Sequence, residues 1–237
     1  MKGKNTFINC IYYHDVVEDS GNSYMQININ LFKEQMQYLI DNGYQTYSFD
    51  DLDDNNCVFY ADKKVLITFD DGWLSNYSLI FDYMIEHNIK YNIFLTTSKI
   101  GIDENYLNWE QVRCMRNSGL VGFGVHTHTH ADLSKTSIHD MYNELIISNK
   151  VFEKNMGYKS NDFCFPYGTY TKEVLNEIVE SGLYKRIYRS DLDFTYLKKN
   201  TLIFGRNAIS NDEEFDIFKN KIAGHYNIFS ALKQLIK

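Results

Sequence analysis

Apolar and polar positions along the chain alternate between two periods. Residues 6–13 alternate and end at Tyr12-Tyr13-His14-Asp15, which predicts a first strand with polar groups at its C-terminal end. A stretch rich in Asp, Ser, Gly and Asn follows as loop. Over 30–42 the apolar residues Leu31, Phe32, Met36, Leu39 and Ile40 fall at helical spacing, and Gly43 ends the run. The spacing then predicts a short strand at 46–49, an acidic exposed segment at 50–56 and a strand at 65–69. Helices are expected over 75–87, 109–117, 138–156 and 171–181, with Ser118-Gly119, Gly157 and Gly182 as stops and Thr171 as a cap. Strands are expected at 91–96, 120–125, 162–165, near Arg186 and near Leu202, and two helices finish the chain.

Strands that alternate with helices imply an α/β fold built on a mostly parallel sheet, open or closed into a barrel. No repeat, low-complexity run or linker divides residues 1–237, so a single domain is expected. Each polar cluster falls at the C-terminal end of a strand, where α/β folds place their sites.

Charge and composition narrow the function. A net charge of −7 argues against a general nucleic-acid binder, which needs a basic surface. No long uncharged apolar run suits a membrane span. Lys2 and Lys4 ahead of the apolar residues 7–13 resemble a signal peptide only faintly, so the expected location is cytoplasmic, or extracytoplasmic if a signal segment has been removed. Cys10, Cys57, Cys114 and Cys164 are scattered, with no C-x-x-C pair; Cys10 and Cys164 read as buried thiols. Aromatic residues make up 16% of the chain, enough to line a sugar-stacking groove as well as a core.

Three stretches carry candidate chemistry. Val65-Leu66-Ile67-Thr68-Phe69 runs into Asp70-Asp71-Gly72, a buried strand that delivers adjacent carboxylates to a rim. Two such carboxylates repel unless a cation or a shared proton offsets them. The same Phe-Asp-Asp occurs at 49–51 without the glycine, and there it reads as capping and solvated surface. Next, Gly124-Val125 leads into His126-Thr127-His128-Thr129-His130. His126 and His130, four apart, can share a face through a helical turn or a tight loop, with His128 pointing elsewhere. One carboxylate with two imidazoles is a typical catalytic zinc set that leaves a position open. Third is Phe165-Pro166-Tyr167-Gly168, where the chain's one proline shapes a turn and Gly168 allows close backbone approach.

Taken together, Thr68-Phe69-Asp70-Asp71-Gly72, Gly124-x-His126-Thr127-x-x-His130 followed by Leu133, and Phe165-Pro166-Tyr167-Gly168 resemble the successive motifs of the polysaccharide deacetylase (NodB-homology) family. Tyr13-His14, the helix with Phe32 and Leu39, and the Gly43-Tyr44 step resemble the branch whose barrel is circularly permuted. The resemblance implies a distorted (β/α) barrel of about seven parallel strands. It also implies a metal-dependent hydrolase that removes acetyl from an N-acetylated amino sugar. By this match Asp71, His126 and His130 would hold one divalent transition metal, zinc first, with Co, Ni, Mn or Fe as alternatives. Asp70 would be the general base, the Tyr167 N–H would bind the oxyanion, and His14, ahead of His225, would be the general acid. Pro166, Trp73 and Arg206 are assigned to the substrate side, with Arg206 alternatively the partner of a carboxylate and Trp73, like Trp109, alternatively core.

Two features depart from the family's pattern. Its usual arginine before Pro-Tyr is replaced by Cys164-Phe165, and its aspartate-rich motif is only loosely matched at 191–194. The rival functions are hydrolysis of a small non-sugar amide, which a closed pocket would favour, and non-catalytic sugar binding. The intact set of base and ligands, Asp70, Asp71, His126 and His130, argues against the latter.

Overall fold

The computed structural model describes residues 8–19, 23–52, 63–190 and 195–224. Its strands are β1 (Asn9–Tyr13), β2 (Asp15–Val17), β3 (Gln26–Asn28), β4 (Gln45–Thr46), β5 (Lys64–Phe69), β6 (Tyr91–Leu95), β7 (Val121–Val125), β8 (Asp162–Cys164), β9 (Arg186–Tyr188), β10 (Tyr196–Lys198), β11 (Thr201–Phe204) and β12 (Asn207–Ala208). The helices are α1 (Ile29–Asp41), α2 (Ser75–Ser78), α3 (Phe81–Glu86), α4 (Trp109–Asn117), α5 (Ile138–Met156), α6 (Lys172–Ser181) and α7 (Phe215–Ile222).

The main sheet runs β10-β11-β9-β8-β7-β6-β5-β1-β12, with β4 beside β5. Every pairing in it is parallel except β10 with β11. β11 and β12 lie towards opposite ends of this order, yet only Gly205 and Arg206 separate them in the chain. Phe204 and Asn207 can therefore be no more than about 11 Å apart, so the sheet must roll round far enough to bring its two ends close together.

Strand periodicity sorts the side chains into two cores. Ile8, Cys10, Leu66, Phe94, Cys164, Tyr188 and Phe204 pack together inside the roll. Their neighbours in sequence, such as Ile11, Ile67, Ile93, Phe163 and Ile203, pack in the larger layer that includes the helices. On β7 the inward positions are Gly122 and Gly124, where an added Cβ would meet Asn92 Oδ1 at 2.3 Å and Phe94 Cδ1 at 2.6 Å. A buried pair, Arg186 Nε to Asp162 Oδ1 at 2.6 Å, sits at the start of β8 and β9, and the Tyr188 hydroxyl donates to the same oxygen.

Some expectations change. The strand expected at 46–49 pairs only at Gln45–Thr46; beyond it the Phe49 N–H donates to the Asn92 side chain instead of a strand. That bond turns the Phe49 ring into the inner core. The helix expected over 75–87 is broken between α2 and α3, where φ widens to −111° at Leu79 and −116° at Ile80. The loop expected after Asp15 contains the small β2–β3 ladder. Asp51 behaves as surface capping, taking Ser48 N–H at 2.7 Å and pairing with Lys90. Cys10 and Cys164 are buried free thiols. Among the described residues no helix is long and apolar enough to cross a membrane. Cys57, His225, residues 191–194 and the second C-terminal helix lie outside the described residues.

Candidate active site

The inward positions at the C-terminal ends of the strands converge on one cluster. β5 leads into Asp70 and β7 into His126, β8 ends in Cys164, and the chain after β11 brings in Arg206. Four residues of the cluster hold left-handed backbone without being glycine: Asp71 (φ 73°), Thr127 (63°), His130 (65°) and Tyr167 (58°). Each such residue costs of order 1–3 kcal/mol and persists only where its surroundings enforce it. Gly72 permits the turn after Asp71: its φ is 86°, and a Cβ there would meet Leu95 and Ile100 side chains at 2.8 and 2.9 Å. At Gly168 a Cβ would lie 2.4 Å from that of Ser190, so the tight approach expected of this glycine is present.

Asp71, His126 and His130 come together. Asp71 Oδ2 accepts from the Trp73 indole at 3.1 Å, while Oδ1 faces His126 Nε2 at 3.7 Å and His130 Nε2 at 3.2 Å. Buried Oδ1 has no hydrogen bond of proper geometry. His126 Nδ1 lies 2.9 Å from the Cys164 carbonyl, which can only accept, so Nδ1 carries the proton. Burial lowers the His126 pKa to about 4, which keeps the ring neutral at pH 7. Its bare Nε2 lone pair therefore points towards a bare carboxylate oxygen. Such an arrangement is unfavourable alone and is what a bound cation resolves; the three donor atoms lie within 4.8 Å of one another. The residues fit a divalent metal. They are brought together by a tight loop rather than a helical turn, and His128 points away, its Nδ1 3.0 Å from the Thr97 hydroxyl.

Asp70 lies beside this trio and is paired with Arg206, Nη1 to Oδ1 and Nη2 to Oδ2 at 2.7 Å each. Burial alone would raise the Asp70 pKa, but the Arg206 charge and hydrogen bonds outweigh it and hold the carboxyl far below its usual range. His14 Nε2 is 3.9 Å from Asp70 Oδ2, and burial lowers its pKa against the pull of Asp70. A cavity of about 130 Å³ opens here, lined by Tyr12, His14, Tyr24, Met25, Asp70, His130, Tyr167, Gly168 and Ser190. The Tyr167 ring stands edge-on to His130 at 4.6 Å, and its backbone N–H donates to no acceptor among the described residues.

None of the residues assigned to the substrate side lines this cavity. Arg206 is fully buried and takes the alternative role, as partner of a carboxylate. It also lies 2.9 Å from Cys164 Sγ, so it occupies the neighbourhood left by the arginine missing before Pro-Tyr. Trp73 orients Asp71 and stacks on Tyr106 at 4.5 Å. Pro166 is buried and shapes the turn without lining the cavity. Trp109 packs on the outer core. Tyr24 and Met25, on the cavity wall, carry no motif that would mark them in the sequence.

The polysaccharide deacetylase family profile matches residues 60–185. The chain is 29% identical over 177 residues to YxkH of Bacillus subtilis, a match that covers 73% of this chain and 61% of YxkH. It is 28% identical over 127 residues to the peptidoglycan-N-acetylglucosamine deacetylase PgdA of Listeria monocytogenes, across 50% of this chain and 24% of PgdA. The chain thus spans less than two thirds of these curated relatives. Among solved structures, the Streptococcus pyogenes deacetylase PplD superposes with a TM-score of 0.79 at 21% identity, over 92% of this chain and 99% of PplD, a likeness of fold.

Proposed function

The chain belongs to the polysaccharide deacetylase family, and we propose that it is a metal-dependent hydrolase that removes acetyl from an N-acetylated amino sugar in a glycan or glycan precursor. The observation that carries this reading is the orphaned Asp71 Oδ1 facing two imidazole nitrogens, one carboxylate away from an Arg-paired Asp70 at the wall of a cavity. Zinc is the first choice of metal for a carboxylate and two imidazoles.

A metal held by Asp71, His126 and His130 would supply Lewis-acid activation of water and of the acetyl carbonyl. Asp70 stays ionised because of Arg206, so it is always able to accept a proton. A carboxylate held at so low a pKa is a weak base and works only on an acidified water. The base and metal assignments therefore stand or fall together. As water adds to the acetyl carbon, its proton goes to Asp70, and the free Tyr167 N–H is placed at the cavity to stabilise the developing oxyanion. The C–N bond then breaks, and the proton passes from Asp70 to the leaving amine, with His14 beside Asp70 as the relay and acid. Acetate and a free amino sugar result.

Tyr24 and Tyr167 stand 74% and 66% exposed at this cavity, which suits a sugar face better than an enclosed small amide. The test is acetate release from oligomers of N-acetylglucosamine by the zinc-loaded protein, with Asp70→Asn as control. Release by the wild type that the variant loses supports the reading; no release from any acetylated sugar, with release from small amides, contradicts it.

A further inference from the structure

The loop that carries His126 and His130 is closed by a carboxylate from outside it. Thr127 and His130 both have left-handed backbone, so nothing in the intrinsic preferences of the segment keeps the two imidazoles facing one another. The β6 side provides part of the hold, with Thr97 N–H and Ser98 N–H donating to the Thr127 and His128 carbonyls. The opposite side is held by Glu144, on α5. Its Oε2 accepts from the His128 N–H at 2.9 Å and the Thr129 N–H at 2.8 Å, and its Oε1 accepts from the Thr129 hydroxyl at 2.8 Å. One side chain thus satisfies three donors on the residues between the ligands.

We propose that Glu144 is a positioning residue for the metal site, fixing the separation and facing of His126 and His130. The inference rests on the reading of Asp71, His126 and His130 as metal ligands. Glu144 does not line the cavity and pairs with neither histidine ring, so it acts only through the loop backbone. Helix α5, whose register is set by the Ser137 cap on Asp140 N–H at 3.1 Å, is thereby tied to the ligand loop.

The experiment is the zinc dissociation constant, measured by chelator competition, for wild type, Glu144→Ala, Glu144→Gln and Thr129→Val. Losing an outer partner of a metal site weakens metal binding by about 10- to 100-fold, and that loss is expected for Glu144→Ala. Glu144→Gln keeps an acceptor for some of the donors and should fall between, and Thr129→Val, which removes only the hydroxyl bond, should lose least. The graded series keeps the test open if the alanine variant fails to fold. Zinc bound equally tightly by all folded variants overturns the role of Glu144. A wild type that binds no zinc overturns the ligand reading beneath it, and the two failures are distinct.

Discussion

Arg206 and Asp70 meet through two parallel hydrogen bonds of 2.7 Å, although 136 residues separate them in sequence. The pair is inside the roll, with the guanidinium also 4.4 Å from the Tyr12 ring centre. Removing one member of a buried pair leaves the other charge uncompensated, at a cost of about 3–5 kcal/mol. Arg206→Ala should therefore lower the thermal midpoint sharply. Adding Asp70→Asn to that variant should restore part of the loss, because the orphaned charge disappears. Strictly additive losses in the double variant would show that the two side chains do not depend on each other.

Asp70→Asn alone separates base from ligand. Acetate release should fall by about 10²- to 10⁴-fold, the usual contribution of a general base. Zinc content should stay at the wild-type level, since Asp71 and not Asp70 faces the two imidazoles. Loss of zinc together with activity would place Asp70 among the ligands.

The metal-stripped protein should be acid-sensitive in a defined window. Burial lowers the His126 pKa in the fold from 6.5 to about 4, so between these values the unfolded chain binds more protons than the folded one. The His126 contribution is then full above about pH 6.5 and is lost as pH falls towards 4, by up to about 3 kcal/mol, and His14, whose pKa burial also lowers, adds a loss of the same sign. The Asp70 carboxyl, depressed by Arg206, adds its own loss only below about pH 4, the unfolded value. Thermal melts of the stripped protein from pH 7 to pH 4 check this, with His126→Asn expected to flatten the upper part of the slope. A wild-type midpoint constant down to pH 4.5 would refute a buried neutral His126.

Gly122→Ala tests the rolled sheet. The new Cβ would press on Asn92 Oδ1 and on the Phe49 backbone nitrogen, which are bonded to each other at 2.7 Å. Overpacking of this kind costs about 1–3 kcal/mol, read as a drop in thermal midpoint. An unchanged midpoint would mean that the interior at Phe49 is looser than the structure has it.

Strands and helices with strong periodicity were legible in the chain itself. The helix at 138–156 and the one at 109–117 fall where the apolar spacing and their caps place them. The apolar run before Asp70 is the central strand β5. β2, β3, β10 and β12, each only two or three residues long, were not marked by the apolar pattern. That Asp71, His126 and His130 come together was legible through local spacing, which a strand end and a tight loop preserve. The partner of Asp70 was legible only as one of two options for Arg206, since no local pattern links positions 70 and 206. Glu144 carried no signal at all. It lies on a helix whose buried face is marked by Met141 and Leu145, and its bonds to residues 128 and 129 come from the packing of α5 against the loop.

Metal content and acetate release, measured together on wild type beside His126→Ala, decide whether Asp71, His126 and His130 hold a catalytic metal. About one transition metal per wild-type chain is expected, stripped and restored in step with activity, with neither metal nor activity in the variant. A wild type that stays metal-free after reconstitution, or one that releases acetate equally well when stripped, would contradict it.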